Sequence, residues 1–122
     1  MEKTKKTSKQ ITGQLGEDIA ADFLVAQYYQ LLHRNWRSGR SEIDIIASFN
    51  STIHFIEVKT RTDKFFGLPE SKVNAAKLKQ LKLAASAYLQ LNPQWKIIQF
   101  DIISINLTPS KPPEIFLIED VF

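Results

Sequence analysis

The stretch from residue 42 to residue 61, Glu-Ile-Asp-Ile-Ile-Ala-Ser-Phe-Asn-Ser-Thr-Ile-His-Phe-Ile-Glu-Val-Lys-Thr-Arg, constrains this chain more than any other. It has the alternation of two β-strands around a short polar break, yet charges stand where a strand should bury apolar side chains. On the first strand Glu42, Asp44 and Ile46 share a face, and Ile43, Ile45 and Ala47 share the other. On the second, Ile53, Phe55, Glu57 and Lys59 share a face opposite His54, Ile56 and Val58. If Asn50-Ser51 is a hairpin turn, residues whose numbers sum to 101 face each other. Asp44 then lies across from Glu57, and Glu42 across from Lys59. Two carboxylates side by side repel unless a cation sits between them. The pattern therefore asks for a divalent metal, with a lysine one pleat further along.

The rest of the chain sets the frame. At 122 residues it is long enough for one domain that buries about two-thirds of the surface of its unfolded chain. Without cysteine there is no disulfide framework and no thiolate zinc site. The N-terminus is polar, and no apolar run approaches transmembrane length, so a cytoplasmic protein with no membrane partner is expected. The net charge of +3 is carried by residues 1–10, which are expected to be a disordered basic tail. Residues 11–122 are then a single domain. Between Arg34 and Lys82 stand ten basic residues and five acidic ones, and three of those five are Glu42, Asp44 and Glu57. Basic groups around an acidic centre suit a polyanion approaching a metal site; a mixed solvated surface would carry the same charges.

Apolar spacing predicts a helix over residues 11–32, with Leu15, Ile19, Phe23 and Ala26 on one side. Residues 34–37 read as a short extended segment ahead of the strand pair, and residues 60–69 as a loop broken by Gly67 and Pro69. A second helix is expected over residues 71–91, with a stripe of Val73, Leu78, Leu81, Ala85 and Leu89 ended by Asn92-Pro93. Residues 95–106 read as a strong strand and residues 115–118 as a short last one. The order α-β-β-β-α-β-β predicts an α/β protein with a mixed sheet flanked by helices.

Within that frame Asp44 and Glu57 are the candidate metal ligands, with the Val58 carbonyl as a further oxygen. Mg²⁺ and Mn²⁺ take such hard donors together with waters and phosphate. Such an ion polarises a phosphodiester and acidifies a bound water, and Lys59 would stand beside that water. The alternative is a cross-strand salt-bridge cluster on a solvated sheet face, against which the apolar neighbours Ile46, Ile53 and Phe55 argue. Glu17 follows a strip of small residues, Gly13, Gly16 and Ala20, that allows close approach of helix and sheet; a solvated helix charge is its plainer reading. Arg34, Arg37, Arg61 and Lys77 are candidates for phosphate contact and Asn35 for sugar or base contact, although each also fits an ordinary surface. Arg40, Lys72, Lys79, Lys82 and Trp36 complete that set. His33 and His54 are not at ligand spacing and read as structural. Asp101, on an isoleucine-rich strand, would cap, pair with a base or support the fold.

The pieces Gly16-Glu17, Arg34-Asn35, Glu42-Ile43-Asp44, Glu57-Val58-Lys59-Thr60-Arg61, Phe66-Gly67, Lys77, Ala85…Tyr88-Leu89 and Phe100-Asp101 span roughly residues 13–105. Together they resemble the PD-(D/E)xK nuclease superfamily. The likeness is closer still to the YraN-like family of uncharacterised bacterial proteins, related to archaeal Holliday-junction resolvases. The resemblance implies a restriction-endonuclease-like core in which Glu17, Asp44, Glu57 and Lys59 correspond to the active-site acids and lysine. It departs where Ile43 replaces the superfamily's proline, and where Ser41 and Gln99 replace a glycine and an arginine. What it implies is a Mg²⁺- or Mn²⁺-dependent endonuclease on DNA, with branched DNA and a homodimer by analogy. A nucleic-acid-binding protein with a formed but catalytically silent site is the alternative, and a structural protein with a salt-bridge cluster the third.

Overall fold

The computed structural model describes residues 5–62 and 75–122. Its elements run α1 (Ser8–Ala26), β1 (Gln30–Ser38), β2 (Ser41–Phe49), β3 (Thr52–Arg61), α2 (Ala75–Leu91), β4 (Ile97–Asn106) and β5 (Glu114–Ile118), the expected order. The strands lie side by side in chain order. All neighbours are antiparallel except β3 and β4, and a parallel pair needs a crossover, which the segment carrying α2 supplies.

At the β2–β3 hairpin Asn50 and Ser51 both take positive φ, 49° and 65°, the two-residue turn whose twist matches paired strands. That turn sets the register expected from the sequence: Phe49 pairs with Thr52, Ala47 with His54, Ile46 with Phe55 and Ile45 with Ile56.

Helix α1 starts three residues before Ile11 because Thr7 caps it. The Gln10 N–H donates to Thr7 Oγ1 (3.1 Å), and Gln10 Oε1 accepts the Thr7 N–H (2.9 Å). Residues 8–10, assigned to the tail from sequence, are thus helical, and residues 1–4 lie outside the described residues. The helix ends at Ala26, well short of residue 32. Tyr28 takes φ 70° and the Tyr29 N–H returns to the Leu24 carbonyl at 2.9 Å, which frees Gln30 to open β1. The short extended segment expected at residues 34–37 is accordingly a nine-residue strand.

Two apolar layers cover the sheet. On one face Ala20, Ala21 and Leu24 of α1 pack with Tyr29, Ile45, Ala47, Ile56, Ile103 and Ile105. On the other, Leu81, Ala84, Ala85 and Tyr88 of α2 pack with Ile43, Ile46, Ile53 and Phe55. The expected start of α2 near Ser71 and its Val73 lie outside the described residues.

The buried face of α1 is Gly16, Ala20, Ala21 and Leu24; Leu15, placed on that face from its spacing, is 48% exposed. Close approach decides the rotation. At Gly16 an added Cβ would stand 1.8 Å from Thr60 Oγ1 of β3 and 2.9 Å from its Cβ, whereas Gly13 faces open space. Gly16→Ala is therefore expected to cost about 1–3 kcal/mol through overpacking, even though alanine is the better helix former by about 1 kcal/mol. Urea unfolding measures it; a variant as stable as the parent would show that α1 can lift off β3 freely.

Candidate active site

The strand alternation breaks where the site forms. Ile43 and Ile46 both pack on the α2 side, while Ile45 and Ala47 pack on the α1 side. The sequence reading put Ile43, Ile45 and Ala47 on one face, and the structure corrects this. The break lies at Asp44, between the β1–β2 pairs Arg34–Ile45 and Trp36–Ile43, and opposite it Asn35 takes φ 53°. The β1–β2 register is the same on both sides of this point, its shift lying between Leu31 and His33, so the change of face is a local backbone twist and not an inserted residue. The last paired residues of β2 and β3 are Ile45 and Ile56. Beyond them the Asp44 side chain substitutes for a backbone carbonyl: the Val58 N–H donates to Asp44 Oδ2 at 2.8 Å.

This break also changes the expected pairing of Glu42 with Lys59. Glu42 stands across from Arg37 on β1, and Arg37 Nη2 lies 2.7 Å from its carboxylate.

Glu57 sits on the α2 side of β3 with Ile53 and Phe55 and is only 9% exposed. Lys77 Nζ, from the start of α2, stands 3.2 Å from Glu57 Oε1. The other oxygen, Oε2, is buried with no hydrogen-bond partner among the described residues. Burial, and then the charge of Asp44, push the Glu57 carboxyl up to about 7 against the opposing Lys77 and Lys59. Asp44 is raised too, mainly by burial, with the Val58 N–H and Lys77 working against the rise. Burial disfavours the Lys77 ammonium, but the charge of Glu57 and its hydrogen bond more than offset that and raise it. Both acids can share a hydrogen bond only with a proton on one of them, so the pair requires a proton or a cation.

Glu17 reaches this pair from α1. Burial, then the charge of Asp44, raise its carboxyl, while a hydrogen bond with the Asn35 side chain and the charge of Arg34 oppose them. A groove of about 560 Å³ runs over Glu17, Asp44, Glu57 and Val58 and is edged by Lys9 and Arg61. A second, of about 640 Å³, lies on the other flank of Glu17 between Lys6, Arg34, Asn35 and Arg37. Arg34 is tied to Asp18 (2.7 Å) and Arg61 Nε donates to Asn106 Oδ1 (3.2 Å), so both guanidinium groups are held in place at the groove margins.

The structure thus brings Glu17, Asp44, Glu57, Val58 and Lys59 to one end of the central hairpin. Arg34, Asn35 and Arg37 line one flanking groove and Arg61 the other. Lys77, expected among the phosphate contacts, stands against Glu57. Lys72, Phe66 and Gly67 lie outside the described residues. Sequence reading missed Lys9 as a groove residue, since it assigned residues 1–10 to a tail; the Thr7…Gln10 capping box was the available signal. It also took Asn35 for a nucleic-acid contact only, where its backbone takes a left-handed conformation within β1 and its side chain hydrogen-bonds Glu17.

Asp101 and His54 lie apart from the site. His54 Nδ1 and Asp101 Oδ2 are 2.6 Å apart, and Asp101 Oδ1 accepts Gln99 Nε2 (2.9 Å) and the Asp120 N–H (3.0 Å). Tyr29 stacks edge-on against His54, and burial followed by Asp101 pushes its hydroxyl up to about 12. Asp101 and His54 make these contacts with each other and with Gln99, Asp120 and Tyr29, none of them part of the acid pair.

Chemically, two convergent carboxylates, one oxygen of which has no donor among the described residues, suit a hard divalent ion. Among the described residues no group of three or more His, Cys, Asp or Glu side chains is placed to hold a metal ion, so other donors would have to complete any site at Asp44 and Glu57.

The chain is similar to known proteins of one family. The model of uncharacterised protein family UPF0102 matches residues 16–105. A UPF0102 protein of Bacteroides fragilis is 40% identical over 95 residues, covering 78% of this chain and 78% of that protein. One of Chloroherpeton thalassium is 40% identical over 118 residues, covering 90% and 92%. These matches bear out the expected membership of an uncharacterised bacterial family. Among solved structures, Archaeoglobus fulgidus Hjc, a Holliday junction resolvase, is similar at 20% identity over 85% of this chain and 75% of that one, with a TM-score of 0.48.

Proposed function

The chain belongs to uncharacterised protein family UPF0102, and we propose that it is a divalent-metal-dependent endonuclease of the PD-(D/E)xK type, acting on DNA. One observation carries this reading: the buried, donorless Oε2 of Glu57 beside Asp44, on a groove edged by cations. Asp44, Glu57 and the Val58 carbonyl would hold Mg²⁺ or Mn²⁺. When bound, the ion supplies an acidified water and a polarised phosphodiester.

The chain's own groups do the rest. Lys59 orients the attacking water and stabilises the charge that grows on the phosphate oxygens. Glu17, across the groove, holds the solvent side of the site acidic. Arg34, Arg37, Arg61 and Lys77 neutralise backbone phosphates, and Asn35 offers an amide to sugar or base. The resemblance of its motifs extends the proposal to branched DNA and to a homodimer. Among the described residues no helix is long and apolar enough to cross a membrane.

Lys77 on Glu57 favours a second reading, in which an internal cation replaces the metal and the protein binds nucleic acid without cutting it. Incubation of the protein with plasmid, single-stranded and four-way-junction DNA, with and without Mg²⁺ or Mn²⁺, separates the two. The expected result is metal-dependent cleavage that Asp44→Asn and Lys59→Ala each lower on the order of 10³-fold. Salt-sensitive binding without cleavage at any metal concentration would establish the second reading. Cleavage that survives both substitutions would place the chemistry elsewhere.

A further inference from the structure

We infer that Lys77 is the resident cation of the Asp44–Glu57 pair and has to leave it before a divalent ion can load, so that this one lysine sets the metal concentration at which the site fills. The inference rests on the metal-centre reading above and goes beyond it. Its ground is the asymmetry of the contact. The Glu57 side chain is 11% exposed and that of Lys77 43%, so the ammonium reaches a nearly buried acid from the solvent side. It engages Oε1 at 3.2 Å and leaves Oε2, the oxygen nearer to needing a cation, without a donor. The fields of Asp44 and Glu42 act on it as well, so three acids hold one ammonium.

A divalent ion placed between the two carboxylates would meet that ammonium across a few ångströms of low-dielectric interior, where like charges repel strongly. The four-carbon stem of a half-exposed lysine can carry the ammonium off Glu57 toward solvent, where it can meet phosphate. Metal affinity is then reduced by the fraction of molecules in which Lys77 already stands away, the usual penalty when only a minor state is competent to bind.

The test is a Mn²⁺ titration followed by electron paramagnetic resonance of the free ion, on the full chain without DNA. Lys77→Met keeps the stem and removes the charge, and is expected to bind Mn²⁺ about fivefold more tightly than the parent. Lys77→Arg, which keeps the charge, is expected to stay within about twofold of the parent on the same scale. Thermal unfolding checks that each variant folds, and Lys77→Gln takes the place of the methionine variant should that one not fold. Equal or weaker binding by the neutral variant, with the parent still binding Mn²⁺ through Asp44, overturns the inference and leaves the metal-centre reading standing. Absence of binding in both proteins at millimolar Mn²⁺ overturns the two together.

Discussion

Glu57→Gln is expected to stabilise the metal-free protein by up to about 3 kcal/mol at pH 8.5 and to leave it nearly unchanged at pH 5. The sign follows from the direction of the shift. The Glu57 carboxyl is pushed up to about 7 in the folded chain from an ordinary value of 4.5, first by burial and then by Asp44. Between those two values the folded protein holds a proton that the unfolded chain has released, so stability falls as the pH rises through that window. The favourable contribution is complete below about pH 4.5 and lost above about pH 7. Glutamine resembles the protonated acid at every pH, and its amide can donate to Asp44. Urea unfolding in EDTA at the two pH values reads the difference, and the same gain at both would refute the buried-acid account. The substitution should also lower metal-dependent cleavage on the order of 10³-fold. A variant both more stable and inactive is what a site under functional strain produces.

Asp101→Ala carries the second large effect, and it acts on stability alone. The carboxylate is the common partner of the His54 ring, the Gln99 amide and the Asp120 N–H, and its side chain is fully buried. Alanine removes the shared acceptor, leaving the buried His54 ring nitrogen and two part-buried N–H groups without it, which costs about 2–4 kcal/mol, or roughly 8–16 °C in Tm. The C-terminal residues should loosen with it, because the Asp120 bond stands beside the Val121 N–H to Phe100 carbonyl bond (2.9 Å) that fastens them to β4. Mn²⁺ affinity of the folded fraction, measured at low temperature, should not move. A large loss of affinity would show that this cluster is coupled to the acid pair after all.

Much of this architecture was legible because it depends on near neighbours in the chain. The hairpin register needed only Asn50-Ser51 and the period of two, and it placed Ile45 against Ile56 and Ala47 against His54. The α2 stripe of Leu81 and Ala85 followed from the helical period in the same way. The misreadings share one cause, which is that a non-local contact decided the outcome. Leu15 looked as apolar as Ala20, but the backbone of α1 rests on Thr60 and turns Leu15 to solvent. Ile43 kept step with Ile45 on paper, and a local backbone twist opposite the left-handed Asn35 of the neighbouring strand broke that step. Asp101 was left open among capping, pairing with a base and supporting the fold, because its His54 partner stands on the neighbouring strand. Its bond to the Asp120 N–H required the chain to return across β5.

The candidate site divides along the same line. That Asp44 and Glu57 would stand close together just past the paired end of a hairpin was determined by the sequence itself, through a two-residue turn that fixes the register over a few residues. Which oxygen would lack a donor, that Lys77 would cover Glu57, that Arg37 would take Glu42, and that Glu17 would lie in the field of Asp44 were decided only by the tertiary structure. Charges act through space and in proportion to burial. Neither the distance between two residues twenty positions apart nor the loss of water around them exists until α1 and α2 have packed on the sheet.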